Sequence, residues 1–216
     1  MSSENTIPLF PLGLVLMPQN PLPLHIFEDR YKLMIGQCLQ EDREFGIVYF
    51  DASDIRTTGC TARILKVINR YDDGRLDILT RGQRRFQINE MFDSKAYLEA
   101  RVTYFDDEAQ VDESGCRDLA ERGMVLLKHF TAILVSGEGY DITREMDFKS
   151  ISFLIAGCEG FSHEEKQLFL EMTSTRERLK KSVAALQNII ERIKLTAEIR
   201  KIIGGNGNMK RLAGPN

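Results

Sequence analysis

The first half of the chain alternates short apolar runs with turn residues, a pattern typical of β-strands. Residues 6–10 and 14–17 are short apolar runs, and FGIVYF at 45–50 is β-branched and aromatic enough for a buried strand. The DDG sequence at 72–74 predicts a turn between two paired strands, and Gly82 is expected to interrupt the second of them. The short connections predict a largely antiparallel sheet.

A different spacing, three and four residues between apolar positions, predicts helices. One helix is expected between residues 27 and 43, inside the β-rich half, because a single stripe of apolar side chains recurs there. A second helix should stop at SGEG, residues 136–139, and a third candidate covers about residues 145–158. The apolar stripe of the helix expected between residues 27 and 43 consists of Tyr31, Met34, Ile35, Cys38 and Leu39.

The last two helices carry recognisable start signals. Ser162 with Glu165 three residues later forms a capping box, and Ser174 with Glu177 repeats that arrangement. The final helix should be the longest, with a narrow apolar seam suited to packing against another helix, and should end at the glycines near residue 204. The seam consists of Leu179, Val183, Leu186, Ile190, Ile193 and Ala197.

These patterns together predict an α+β fold of two lobes. A β-rich lobe with one inserted helix is expected over residues 1–110, and a helical lobe over residues 111–204. The acidic stretch that begins at residue 106 reads as the connection between them. Residues 205–216, rich in glycine and asparagine, should form a flexible tail.

Composition narrows the class of protein. The chain has 216 residues, 43% hydrophobic and 28% charged, which is the balance of an ordinary globular protein. Its net charge of −3 argues against a protein whose main role is neutralising phosphates. The N-terminus does not resemble a signal peptide, and no apolar stretch reaches the length of a membrane span. We therefore expect a cytoplasmic protein without a membrane partner.

Motifs for catalysis or cofactor binding do not occur in this sequence. It contains no GxxxxGK[ST] phosphate loop, no GxSxG, no HExxH and no GxGxxG after a strand. The four cysteines lie far apart with no CxxC, which favours buried reduced thiols over a metal site or disulfides. We therefore expect no catalytic residue, no cofactor and no metal, and a hydrolase is a weak third hypothesis.

The segment PLPLHIFEDRY, residues 21–31, concentrates polar chemistry and could suggest a catalytic site. It lies where a strand turns directly into the first helix, so carboxylates there are stabilised by unpaired N–H groups and by the helix dipole. The sequence favours a structural latch over an active site. The residues of this predicted latch are His25, Glu28, Asp29, Arg30 and Tyr31.

Arg81, Arg84 and Arg85 form a second polar group, around Gly82. With Phe86 and Tyr71 nearby they are candidates for contact with nucleic acid. The alternative, which we favour, is a solvated turn whose arginines pair with carboxylates. The carboxylates available for such pairing are Asp72, Asp73, Asp77 and Glu90.

Several segments in order closely resemble the N-terminal domain of the Lon proteases. The match begins with IPLFPLGLVLMPQNPLPLHIFEDRYKLMIGQCL and continues through FGIVYF, GCTARI, DGRLDILTRGQRRFQI and AYLEARV. The later EEKQLFLEMTSTRERL resembles the end of that domain's helical part. The resemblance covers about residues 6–200.

This resemblance implies a PUA-like pseudo-barrel followed by a helical lobe, and a role in recognising protein substrates. It also suggests a standalone form, since the ATPase and peptidase domains of full-length Lon proteins are not seen in this sequence. Our leading hypothesis is a module without catalytic activity that binds unfolded or peptide segments of proteins, as an adaptor or competitor for a proteolytic system. The alternative is an RNA-binding PUA-like protein that uses Arg81, Arg84 and Arg85.

Overall fold

A computed structural model of the protein describes residues 5–51, 54–109, 114–134 and 146–209. Within these residues it is an α+β fold, as predicted, with six strands and one helix in the first half and four helices in the second. The elements are β1 (Thr6–Leu12), β2 (Pro21–Ile26), α1 (Asp29–Gln40), β3 (Phe45–Asp51), β4 (Asp54–Arg70), β5 (Leu76–Phe92), β6 (Glu99–Phe105), α2 (Ser114–Leu134), α3 (Phe148–Ala156), α4 (His163–Glu171) and α5 (Thr175–Met209).

Five of the strands close into a barrel, because β5 pairs with both β4 and β6 while β1 links β6 to β3. All pairings are antiparallel except that of β1 with β3, which is parallel. The parallel pair requires a crossover, and β2 with α1 provides it. The helix predicted between residues 27 and 43 is therefore part of the connection that lets β1 and β3 run parallel.

Three strand segments extend away from the barrel as a sheet that we call the wing. It consists of β2, residues 63–70 of β4 and residues 76–81 of β5. The predicted turn at 72–74 connects the two longer strands, and Gly74 adopts a φ of 81°, which glycine tolerates at no steric cost. One face of the wing packs on α1 and the core through Leu22, Leu24, Ile64, Val67 and Ile78.

Two hydrophobic clusters stabilise the fold. The smaller lies in the barrel and includes Leu9, Val48 and Phe86, all fully buried. The larger runs from α1 and the wing into the helices, so residues of both predicted lobes share one core. The division at residue 110 stays a prediction.

All four cysteines are buried thiols, and burial raises the pKa of Cys60 to about 12 and that of Cys38 to about 11.

The capping box at Ser162 is confirmed, and Ser174 Oγ accepts from Glu177 N–H at 3.3 Å, but the predicted end of the last helix is wrong. Ser162 Oγ accepts from Glu165 N–H at 3.2 Å, and Glu165 Oε2 accepts from Ser162 N–H at 2.8 Å, a complete capping box. Helix α5 does not stop near residue 204 but continues through Met209. The rest of the predicted tail, residues 210–216, and the SGEG segment lie outside the described residues.

Two strand predictions also need correction. Residues 14–17 form no strand but belong to the loop between β1 and β2, and Gly82 does not interrupt β5, which runs unbroken from Leu76 to Phe92. The loop crosses the strand at this point. Gln19 N–H donates to Gly82 O at 2.9 Å, and Gly82 N–H donates to Asn20 O at 3.0 Å. A Cβ at residue 82 would overlap the carbonyl oxygen of Met17.

The first prediction follows from this crossing. Gly82→Ala should destabilise the protein by about 1 to 3 kcal/mol, because only a backbone shift of the loop can relieve the overlap. Gly36→Ala is the matched control, since a Cβ there meets nothing within 4 Å and alanine favours the helix. Urea unfolding of both variants measures the effect. Equal stability of Gly82→Ala and the parent protein would contradict it.

Candidate functional site

The segment predicted to be a latch divides into groups that contact other elements and groups that do not. Tyr31 is buried in α1, with its ring centroid 4.0 Å from that of Phe10 on β1. His25 Nδ1 lies 2.6 Å from Asp77 Oδ1 on β5. Both side chains therefore link this segment to the β-sheet. An architectural role for the segment stays a prediction, and these two contacts are its physical basis.

The charged members of the segment are paired locally. Arg30 Nη2 lies 2.7 Å from Glu28 Oε2, with both side chains substantially exposed, and Asp29 accepts from Lys32 at 3.1 Å within the first turn of α1. Glu28 is the N-cap of the helix, but its side chain makes no capping hydrogen bond. The pair of Glu28 and Arg30 consequently does not tie the helix to the barrel.

The three arginines around Gly82 do not form a common surface. Arg84 donates to Glu44 at 3.4 Å and lies 3.9 Å from the ring centroid of Tyr104. Arg85 is 2% exposed and points toward the helices, where its Nη1 donates to Leu170 O. The predicted turn with carboxylate partners is wrong, because β5 is continuous and Asp77 pairs with His25 instead. A nucleic-acid site made of all three arginines is unsupported for the same reason.

Arg85 belongs to a buried charged group that we call the junction cluster, formed by Arg85, Asp107 and Arg178. Arg85 binds one carboxylate oxygen of Asp107 and Arg178 binds both, and the side chains of Arg85, Asp107 and Arg178 are 2%, 7% and 0% exposed. Arg178 Nη1 also donates to Met172 O at 2.7 Å, and Arg85 Nη1 to Leu170 O at 2.9 Å. Burial lowers the pKa of Arg85 from its ordinary value, while Asp107 opposes that shift.

Neutral partners complete the junction cluster. Arg178 Nε donates to Ser152 Oγ at 2.8 Å, and Thr175 Oγ1 donates to Asp107. The ring of Phe153 lies 3.7 Å from the guanidinium of Arg178 and 5.1 Å from that of Arg85, close enough for cation–π attraction. Sequence reasoning missed this cluster because its members are separated along the chain and no local spacing marks them.

Beside the junction cluster, a cavity of about 440 Å³ opens between β5, β6 and the start of α3. Its charged walls are already engaged: Arg84 with Glu44 and Tyr104, and Lys149 with Asp106. Asp147 accepts from Ser150 N–H as the N-cap of α3. Among the residues that the structure describes, no group of three or more His, Cys, Asp or Glu side chains is placed to hold a metal ion.

The free end of the wing exposes a cluster of apolar and aromatic side chains. Phe27 is 59% exposed, and Tyr71 and Ile68 are also exposed. The ring of His25 stacks 6.0 Å from Phe27 and meets Tyr71 edge-on at 6.0 Å, so these three side chains form one continuous group, and Ile68 lies near the end of β4, three residues before Tyr71. We call Phe27, Ile68 and Tyr71 the wing patch.

Asp77 holds the polar side of this group in place. Besides His25, it accepts from Tyr71 Oη at 2.7 Å and from Asn69 Nδ2 at 3.1 Å. These hydrogen bonds, with that of His25 the largest contribution, lower the pKa of Asp77 to about 2. The carboxylate therefore stays charged at neutral pH and keeps three side chains from β2, β4 and the turn in fixed positions.

Comparison with known proteins places the chain in a family. Residues 6–188 match the family described as the ATP-dependent protease La (LON) substrate-binding domain, and the chain belongs to that family. It is 24% identical over 211 residues to a Lon protease of Anaeromyxobacter dehalogenans and equally to Lon protease 2 of Myxococcus xanthus. Each match covers 92% of this chain but about a quarter (25%) of the relative's length.

Solved structures of two bacterial proteins share the fold. A Lon N-terminal domain protein from Xanthomonas campestris superimposes with a TM-score of 0.62 at 22% identity, covering 83% of this chain and 98% of that one. The N-terminal domain of the Mycobacterium avium complex Lon protease gives 0.65 at 20% identity, covering 85% and 98%. These likenesses confirm the predicted fold class. No described helix is long and apolar enough to cross a membrane.

The second prediction tests the junction cluster against the exposed pair of the predicted latch. Asp107→Asn should cost about 3 to 5 kcal/mol of stability, because two buried guanidinium groups lose their shared counter-charge. Glu28→Ala, the control, should cost under about 1 kcal/mol since its pair with Arg30 is exposed. Denaturant unfolding of both variants gives the comparison. Equal losses of stability in the two variants would show that the junction cluster contributes no more than the exposed pair of Glu28 and Arg30.

Proposed function

We propose that this chain binds segments of other protein chains, with the wing patch as the contact surface. Membership in a family described as a substrate-binding domain supports the protein nature of the ligand. The relatives named above are Lon proteases, so the bound segments would be ones that a proteolytic system also handles. The protein would then act as an adaptor or a competitor for such a system.

The observation that carries this proposal is the grouping of exposed apolar side chains at one end of the wing. Single exposed apolar residues are ordinary on protein surfaces, but contiguous groups rimmed by polar residues mark interaction sites. Phe27 and Tyr71 are joined through His25 into such a group, and Ile68 precedes Tyr71 by three residues on the adjoining strand. Unfolded segments expose the apolar side chains that fit such a surface.

Preorganisation strengthens the case for this surface over the cavity between the lobes. Asp77 fixes Tyr71 and His25 through hydrogen bonds, so binding need not order them, and less conformational entropy is lost. In the cavity, by contrast, Arg84 and Lys149 already have partners that a ligand would have to displace. On the wing patch, Phe27 is exposed, so a ligand can pack on its ring without breaking an ion pair.

The third prediction concerns binding of an unfolded protein. Phe27→Ser combined with Ile68→Ser should weaken the affinity for fluorescein-labelled casein about tenfold or more, because the main apolar contacts are removed. Leu168→Ser combined with Val125→Ser is the matched control, since both residues are exposed on the helical lobe. Fluorescence anisotropy measures both, and circular dichroism checks folding. A loss confined to the control variant would overturn the assignment of the surface.

We further propose that the chain itself catalyses no reaction on the segments that it binds. Its match is to a substrate-binding domain, and its sequence contains neither a phosphate loop nor a nucleophile motif.

The fourth prediction is therefore that purified protein leaves ATP and casein intact. Phosphate release and gel electrophoresis are the measurements. Turnover that follows the protein peak through successive columns would contradict this proposal without affecting the binding proposal.

A further inference from the structure

The two free edges of the wing are built in a way that hinders pairing with another strand. On β2, Pro21 and Pro23 lack N–H groups, and proline in a sheet belongs on an edge with that side toward solvent. On the opposite edge, the pairing of β4 with β5 shifts between Ile64 and Lys66 and again between Val67 and Asn69. Such bulges disrupt the regular row of donors and acceptors that an added strand requires.

A segment bound to the wing must therefore be held by side chains on its outer face. Residues directly opposite each other across a sheet project to the same face. The register gives three successive rows there, each crossing β2, β5 and β4. These rows are Pro21 with Arg81 and Arg63, Pro23 with Leu79 and Lys66, and His25 with Asp77 and Asn69.

The rows differ in charge from one end of the face to the other. Among the described residues, Arg81 and Lys66 have no acidic partner, while Arg63 pairs with Asp42 at 2.6 Å. Asp77 is the only carboxylate in the three rows, and it already accepts three hydrogen bonds. One end of the face is thus cationic although the whole chain carries a net charge of −3.

The wing patch lies at the other end. Successive rows are two residues apart, so the first and third are separated by about 13 Å along the strands. Phe27 follows His25 by two more residues, beyond the third row. An extended segment advances about 3.3 Å per residue, so one that reaches both ends needs its two contact residues about four to six positions apart.

We infer that the outer face of the wing selects extended segments in which a carboxylate lies about four to six residues from an aromatic or large aliphatic side chain. The carboxylate would bind Arg81 in the first row, with Lys66 of the second row adding positive charge beside it, and the apolar side chain would pack on the wing patch. This inference rests on the proposed function and names its ligand class. The selectivity comes from side-chain chemistry alone, since the blunted edges do not offer backbone pairing.

The test uses capped, fluorescein-labelled peptides with a glycine and serine scaffold. One peptide carries Asp and Phe about five positions apart, a second carries them adjacent, and a third replaces Asp by Lys at the wide spacing. Both chain orders of each peptide are made. The wide Asp peptide should bind about tenfold tighter than the other two, and its affinity should fall as salt is raised.

Charge reversal on the protein provides the matched variant. Lys66→Glu combined with Arg81→Glu should weaken binding of the wide Asp peptide about tenfold and strengthen binding of the Lys peptide. Lys128→Glu combined with Lys194→Glu is the control, because it changes the net charge equally on the helical lobe, where both side chains are exposed. If both double variants change the peptide affinities to the same extent, net charge alone determines binding, and the inference is overturned.

The outcomes separate this inference from the proposed function. If the serine variant of the wing patch no longer binds casein but charge reversal leaves the affinity for every peptide unchanged, the binding surface stands and the carboxylate selectivity is wrong. If neither variant of the wing alters casein or peptide binding, both are wrong. Tighter binding of a single-stranded oligonucleotide than of the wide Asp peptide at the same salt would also overturn it, because the cationic rows would then serve phosphates.

Discussion

The buried charges of Arg85, Asp107 and Arg178 join strand β5, the segment after β6 and helix α5. Removing a charge from water costs several kcal/mol unless partners replace the lost hydration. Here both oxygens of Asp107 are shared between two guanidinium groups, and the carbonyls of Leu170 and Met172 accept further hydrogen bonds. The cluster is satisfied only when α4, α5 and the barrel occupy their correct relative positions.

Strand β5 connects the junction cluster to the wing. Three residues before Arg85, Gly82 exchanges two backbone hydrogen bonds with the loop that leads into β2. Immediately before Gly82, residues 76–81 are the central strand of the wing, between β2 and β4. One continuous strand thus connects the junction cluster, the loop crossing and the outer face. A break at Gly82, as its residue type suggested, would uncouple them.

The sequence predicts local features of this fold well and distant contacts poorly. Helix α1, the turn before Gly74 and the capping box at Ser162 depend on residues within a few positions of each other, and the structure confirms them. Arg85 was misassigned because its partners are Asp107 and the carbonyls of Leu170 and Met172, far along the chain, and nothing in the spacing of the arginines indicates burial. Without tertiary contacts, adjacent arginines resemble a solvated turn.

The sequence also does not show that the polar residues of the segment PLPLHIFEDRY lie in different environments. Its polar residues are adjacent in sequence, which suggested one joint role, but an extended strand and a helix direct neighbouring side chains to different environments. Tyr31 enters the core, Glu28 and Arg30 face solvent, and His25 joins Asp77 on the outer face of the wing. The wing patch could not be found from the sequence, since its members belong to a single surface only after β2 and β4 flank β5.

A surface that binds unfolded segments has to expose apolar side chains, and this exposure favours association between copies of the protein. The wing limits that risk in two ways. Pro21, Pro23 and the two bulges of β4 hinder edge-to-edge pairing. Lys66 and Arg81 would also repel their own counterparts if two outer faces met with their strands in the same direction. On the proposed function, the cations that attract a carboxylate in a ligand are the same groups that oppose this association.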